Sequence, residues 1–191
     1  MSMERRDWMK TTLAALGAAG LGSLALEAGE EGKSFVEELA GDWDLQQAYT
    51  IEVAEAMPAE HYAFKPTEEM RSFGEVMAHI GGSCYFFGAI ALSQPPPEAA
   101  RFQGEATKER IVPFLKESFD YVAARLAELD PAQAGEVLTL FGGRFTMSRA
   151  KVCHFLLNHL THHRGYTLPY LRLNGVQPPP YRFTGRSESP V

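Results

Sequence analysis

The run His159-Leu160-Thr161-His162-His163-Arg164-Gly165 constrains the fold of this chain more than any other stretch. It sets two imidazoles, His159 and His163, one helical turn apart within an apolar pattern. That pattern runs through Val152, Phe155, Leu156, His159, His163, Tyr166, Tyr170 and Leu173, mostly at steps of three and four. The spacing predicts a helix with both histidines on its core-facing side. Apolar cores rarely hold two adjacent imidazoles, because each brings a polar nitrogen that must find a partner. One divalent metal ion satisfies both, and the i, i+4 spacing lets a single ion reach the two rings.

The chain around this run has 191 residues, 45% of them hydrophobic, enough for one domain with a sizeable core. Its formal net charge is -6. No basic stripe offsets that charge, so nucleic acid and anionic membrane surfaces are not expected partners, which leaves a small-molecule substrate or a protein partner open.

The first residues read as a targeting segment rather than as fold. Glu4-Arg5-Arg6-Asp7-Trp8-Met9-Lys10 precedes a mildly apolar run from Thr11 to Leu26. A charged start, a short apolar middle and small residues near the exit mark a secretory signal. Residues 1–28 resemble a twin-arginine signal through Arg5, Arg6 and Lys10, with Glu4 where Ser or Thr is commoner. Cleavage after Ala25 or after Ala28 fits. The apolar run is shorter and richer in glycine than a membrane span. The expectation is therefore an exported protein without a stable span after signal removal; the alternatives are an N-terminal amphipathic or anchoring helix and a cytoplasmic protein. Export would permit a disulfide between Cys84 and Cys153, the two cysteines of the chain. They read more readily as two small buried apolar side chains.

Beyond the signal the pattern is helical. Helix one is predicted from near Ser34 to Ala56, with Leu39, Trp43, Gln46, Tyr49, Thr50 and Val53 inward and Met57-Pro58 as its stop. A connection through Pro66 leads to helix two, opened by Ser72 with Glu75 in capping-box register and running to about Leu92. This helix is apolar nearly all round and should be deeply buried. Pro95-Pro96-Pro97 ends it. Helix three is predicted over roughly Thr107 to Leu129, with Pro113 near its first turn. Residues 137–143 suggest a short extended piece and a turn. Ser148 or Thr146 then caps helix four, which reaches about Leu173 and stops at Asn174-Gly175. Residues 177–191 look like a loose tail. The predicted fold is all-α, a four-helix bundle over residues 34–176 with at least one long crossover.

Two ligands hold a metal weakly, so a third is needed among the remaining histidines. His79 is the best candidate, midway along the buried second helix. His61 lies in a connection, and His154 points well away from His159. His162 is rotated about 100° from His163 and faces a neighbouring helix or solvent, or supports a ligand.

Two stretches resemble a known family. Met57-Pro58-Ala59-Glu60, Phe64-Lys65-Pro66 and Ser72 through Ile80 are similar to the opening half of DinB-like proteins, the metal-binding four-helix bundles. The run from Asn158 to Pro179 resembles their closing half, departing at Tyr166 where the family commonly has Gln. The resemblance implies an up-down-down-up bundle and a three-histidine site for a divalent metal. Carried onto this chain, the ligands are His79, His159 and His163. It further implies a homodimer, and places Cys84 and Cys153 at similar heights but turned from the ligand direction, against a disulfide.

Three neutral imidazoles leave at least one coordination position open, as in catalytic rather than structural zinc sites. Zinc or nickel suits the ligand set. The expected activity is metal-dependent hydrolysis of a small substrate through metal-bound hydroxide. Alternatives are a metal-dependent thiol transferase acting on an electrophile, known in parts of the family, and a non-catalytic metal-binding or sensing protein. No catalytic base stands out. Glu75, Tyr49, Gln46 and Tyr166 are candidates, and Arg164 reads as one half of a structural ion pair.

Overall fold

The computed structural model of the protein describes residues 34–182; the expected signal, residues 1–28, lies outside them. Four α-helices dominate: α1 (Phe35–Ala56), α2 (Phe73–Ala91), α3 (Lys108–Ala127) and α4 (Arg149–Leu173). Each predicted helix is present within a few residues of its expected ends. None of the described helices is long and apolar enough to cross a membrane.

Local chemistry explains where the helices begin. Ser72 Oγ accepts from the Glu75 amide at 3.2 Å, and Glu75 Oε2 accepts from the Ser72 amide at 2.6 Å, closing a capping box. Ser34 and Glu37 repeat this device at the start of α1. Ser148, not Thr146, caps α4 by accepting from the Lys151 amide. Pro113 falls in the second turn of α3 rather than its first, so the helix runs through it without the bond that its amide would have donated.

Contacts between helices fix their directions. Trp43 Nε1 donates to the Phe119 carbonyl, and Lys108 Nζ donates to the carbonyls of Glu55 and Met57, so α1 and α3 are antiparallel. Tyr170 reaches Arg71 and Arg149 reaches Ala91, so α2 and α4 are antiparallel. Gly74 lies by Ala106 and Gly88 by Val122, making α2 and α3 parallel. Phe35 meets His154 and Thr50 meets Arg164, making α1 and α4 parallel. The order is up-down-down-up, with α1 diagonal to α2 and α3 diagonal to α4. Parallel α2 and α3 require the long connection 92–107 to return along the bundle. Two glycines let it lie flat on α2. A Cβ on Gly74 would sit 2.1 Å from the Ala106 carbonyl oxygen, and one on Gly82 would sit 2.7 Å from that of Ala100. A helix-interior glycine costs about 1 kcal/mol. Met77, Ile80 and Phe73, each 0% exposed, outweigh that at about 1.5–3 kcal/mol apiece.

The structure corrects the sequence reading at several places. The extended piece at 137–143 is one arm of a β-hairpin, β1 (Val137–Leu140) paired antiparallel with β2 (Phe145–Ser148), Val137 opposite Ser148. Its turn passes through Phe141, Gly142 and Gly143 at φ 52, 67 and 92°. The stripe assigned to α4 is also displaced. Phe155, Tyr166 and Leu173 are 42, 47 and 64% exposed. Val152, Leu156 and Tyr170 of that stripe are buried, but they form one edge of an arc that continues through Cys153, Leu157, Leu160, Arg164, Thr167 and Leu171. The centre of the arc is rotated from the expected stripe by one residue step, roughly 100°, which was hidden because Arg164 and Thr167 interrupt its apolar character. Residue 177 onward, expected to be loose, is fastened to α1 as far as Arg182. Tyr49 donates to the Pro179 carbonyl, Tyr181 packs edge-on to Tyr49, and Arg182 pairs with Glu52.

Candidate metal centre

The rotation of α4 places His159 and His163 at the edge of its buried arc, facing α2 rather than the bundle axis. His79, midway along α2, meets them there. His79 Nε2 lies 3.1 Å from His163 Nε2 and 3.2 Å from His159 Nε2. The ligand atoms of all three lie within 4.8 Å of one another, the only such described group of histidine, cysteine and carboxylate residues able to hold an ion.

These separations suit a shared ion. Nitrogens about 2.0–2.1 Å from zinc stand about 2.9 Å apart at octahedral angles and about 3.3 Å apart at tetrahedral ones. The donors are also in the right protonation state. Burial pushes His79 and His163 down to about 4, helped by Arg71 and the neighbouring imidazoles, and His159 is lowered for the same reasons. All three are neutral at pH 7, as metal ligation requires. Phe155 stacks on the His159 ring and Phe87 packs against it from the edge, fixing its orientation.

His79 and His159 form part of the wall of a cleft of about 970 Å³ between α2, the 92–107 connection and the hairpin. Phe86, Phe87, Phe102 and Phe141 give it apolar walls; Glu60, Glu75 and Glu105 are its charged lining, with no lysine or arginine among the described lining residues. Phe141, at the hairpin tip, stacks on Phe86 at 5.6 Å.

The other sequence candidates fall away from the chemistry. Glu75 lines the cleft, but its carboxylate caps α2 and pairs with Lys65 at 3.4 Å. The Ser72 amide, donating to it, holds it below the usual carboxylate range. Tyr49 is turned to Pro179 and Arg164, and Gln46 offers its carbonyl to Arg164; neither lines the cleft. Arg164 is 2% exposed, yet it meets no carboxylate among the described residues. It donates to the Gln46 carbonyl and Thr50 Oγ1 and lies 4.4 Å over the Tyr49 ring. The expected ion pair is thus a cation held by neutral groups. Tyr166 and the exposed His162 pack on each other beside His163. His61 and His154 are not in the cluster. Cys84 and Cys153 are free and buried, as small apolar side chains.

Ser83 is a site residue that sequence reasoning missed. Its Oγ lies 3.1 Å from His159 Nε2. The available signal was its position four residues after His79 on the same helix, which places both on one face.

An up-down-down-up bundle whose second and fourth helices bring together three imidazoles, able to hold a divalent ion, defines the class to which this molecule belongs. The family model described as DinB superfamily matches residues 42–167, and the chain belongs to that superfamily. Among solved structures it is similar to a DinB-like protein from Bacillus cereus ATCC 10987, with a TM-score of 0.64 and 18% identity over 76% of this chain and 97% of that one. A DinB-like protein from Bacillus subtilis gives a TM-score of 0.60 and 19% identity, covering 81% and 99% respectively. No curated protein matches the chain.

Proposed function

We propose that the protein holds a divalent cation, zinc or nickel, on His79, His159 and His163 and acts as a metal-dependent hydrolase on a small substrate bound in the adjoining cleft. The observation that carries this reading is the meeting of the Nε2 atoms of three neutral imidazoles, 3.1 and 3.2 Å apart, at the wall of that cleft. When bound, the ion supplies Lewis acidity at a position left open by only three protein donors. The chain's own residues do the rest. Phe86, Phe102 and Phe141 grip an apolar body and exclude water from it. The three glutamates of the lining disfavour polyanions, so a neutral or cationic substrate is the better fit.

The test is a metal-replete preparation assayed against ester, amide and thiol-electrophile panels. Hydrolysis in the wild type and its loss in His159→Ala support the reading. Turnover that requires an added thiol replaces it with a thiol transferase. Stoichiometric metal with no turnover in any panel leaves a metal-binding or sensing protein.

We further propose export through the twin-arginine-like segment of residues 1–28, supported by Arg5, Arg6 and Lys10 ahead of the apolar run. Fractionation of cells expressing the wild type and the Arg5→Lys, Arg6→Lys double variant tests it. Retention of the double variant alone in the cytoplasm is the expected result, and equal distribution of the two overturns it.

A further inference from the structure

We infer that Ser83 is the fourth corner of the histidine site, its hydroxyl lying against the open coordination position and fixing whatever donor atom occupies it. The inference rests on the reading that an ion sits on His79, His159 and His163. The two antiparallel helices contribute matched pairs: His79 and Ser83 from α2, His163 and His159 from α4, each pair four residues apart. Antiparallel register sets His79 against His163 at 3.1 Å and Ser83 against His159 at 3.1 Å, with His79 and His159 joined at 3.2 Å. The serine oxygen therefore stands at the same spacing from a ligand nitrogen as the ligand nitrogens do from each other.

A conflict over one lone pair gives Ser83 its role. Its hydroxyl is hydrogen-bonded to His159 Nε2, the nitrogen that also meets His79. An ion bound there takes the Nε2 lone pair, and that nitrogen can then neither accept from the hydroxyl nor donate to it. Ser83 is only 9% exposed, so bulk water is a poor replacement. The group facing the hydroxyl is then the occupant of the open position, a water or a substrate atom. Ser83 also lines the cleft, on the side from which such an occupant arrives. It is a positioning residue, holding the occupant rather than reacting with it.

Cobalt(II) substitution in the full chain tests this without reference to turnover. Ser83→Cys places a thiol at the serine oxygen, and a thiolate-to-cobalt charge-transfer band absent from the wild type is expected. Ser83→Ala is expected to alter the visible cobalt bands and to raise the cobalt dissociation constant about tenfold, the scale typical of groups that support a ligand. Both replacements are close to serine in volume, and urea midpoints of the metal-free proteins check that the fold is kept. The inference stands only if both changes are seen. A cysteine variant without the band, or an alanine variant whose spectrum superimposes on the wild type, overturns it and leaves Ser83 as a hydrogen-bond partner of the His159 ring alone. A wild type that develops no cobalt spectrum overturns the metal reading itself, which is a separate result.

Discussion

Burial holds the three imidazoles neutral, and that neutrality has a cost whose sign can be worked out. His79 and His163 titrate at about 4 in the folded chain, against about 6.5 when unfolded. Between those values the unfolded chain binds more protons, so unfolding becomes easier as pH falls. The metal-free protein should therefore lose stability steadily from about pH 6.5 to about pH 4, measured as a falling urea midpoint. A midpoint that stays level across that window would refute the burial of these rings. Arg164 presents the opposite case, a buried cation pushed down to about 10 by desolvation yet still charged at neutral pH. It is held by the Gln46 carbonyl, Thr50 Oγ1 and the Tyr49 ring. Arg164→Ala removes all three contacts and leaves a cavity where the guanidinium stood, while the Gln46 carbonyl keeps the Thr50 hydroxyl as a donor. A loss of about 2–4 kcal/mol in chemical denaturation is expected, with the metal content of the surviving folded protein unchanged.

The helices differ in how close another backbone approaches them, and glycine marks the difference. At Gly74 the Ala106 carbonyl leaves no room for a methyl group. At Gly165, exposed on α4, nothing lies within 4 Å of an added Cβ. Helix propensity alone favours alanine at both. Packing reverses the sign at the first: Gly74→Ala should destabilise by about 1–3 kcal/mol, as overpacking does. Gly165→Ala should stabilise by about 0.5–1 kcal/mol. Thermal melts of the two variants side by side decide it, and two shifts of the same sign would contradict the flat seating of the 92–107 connection. The elements themselves were legible in the sequence. Ser72 with Glu75, Met57-Pro58 and Asn174-Gly175 act through atoms within one turn, so their effects are written in neighbouring residues. The second arm of the hairpin was not legible. Phe145–Ser148 is too short for alternation to register, and its pairing partner lies across a glycine turn.

For the molecule as a whole, an ion bound only by the folded state adds to its stability through mass action. Zinc or nickel at 100 times the dissociation constant should raise the free energy of unfolding by about 2.7 kcal/mol. Chelator should reverse the gain, and His79→Ala should abolish it, because its α2 donor is one of three. Calorimetry with and without metal measures both. A wild type indifferent to metal would leave the three rings as a hydrogen-bonded cluster. By itself the sequence determined four helices, their approximate ends, and the three histidines, because caps, prolines and helical periodicity operate within a few residues of chain. Tertiary structure alone decided which face of α4 is covered, that Arg164 is buried against the Gln46 carbonyl, Thr50 and the Tyr49 ring, and that Ser83 joins the histidines. Those outcomes depend on contacts between residues separated by 76 and 114 positions, and local pattern has no means of recording which helix will lie opposite.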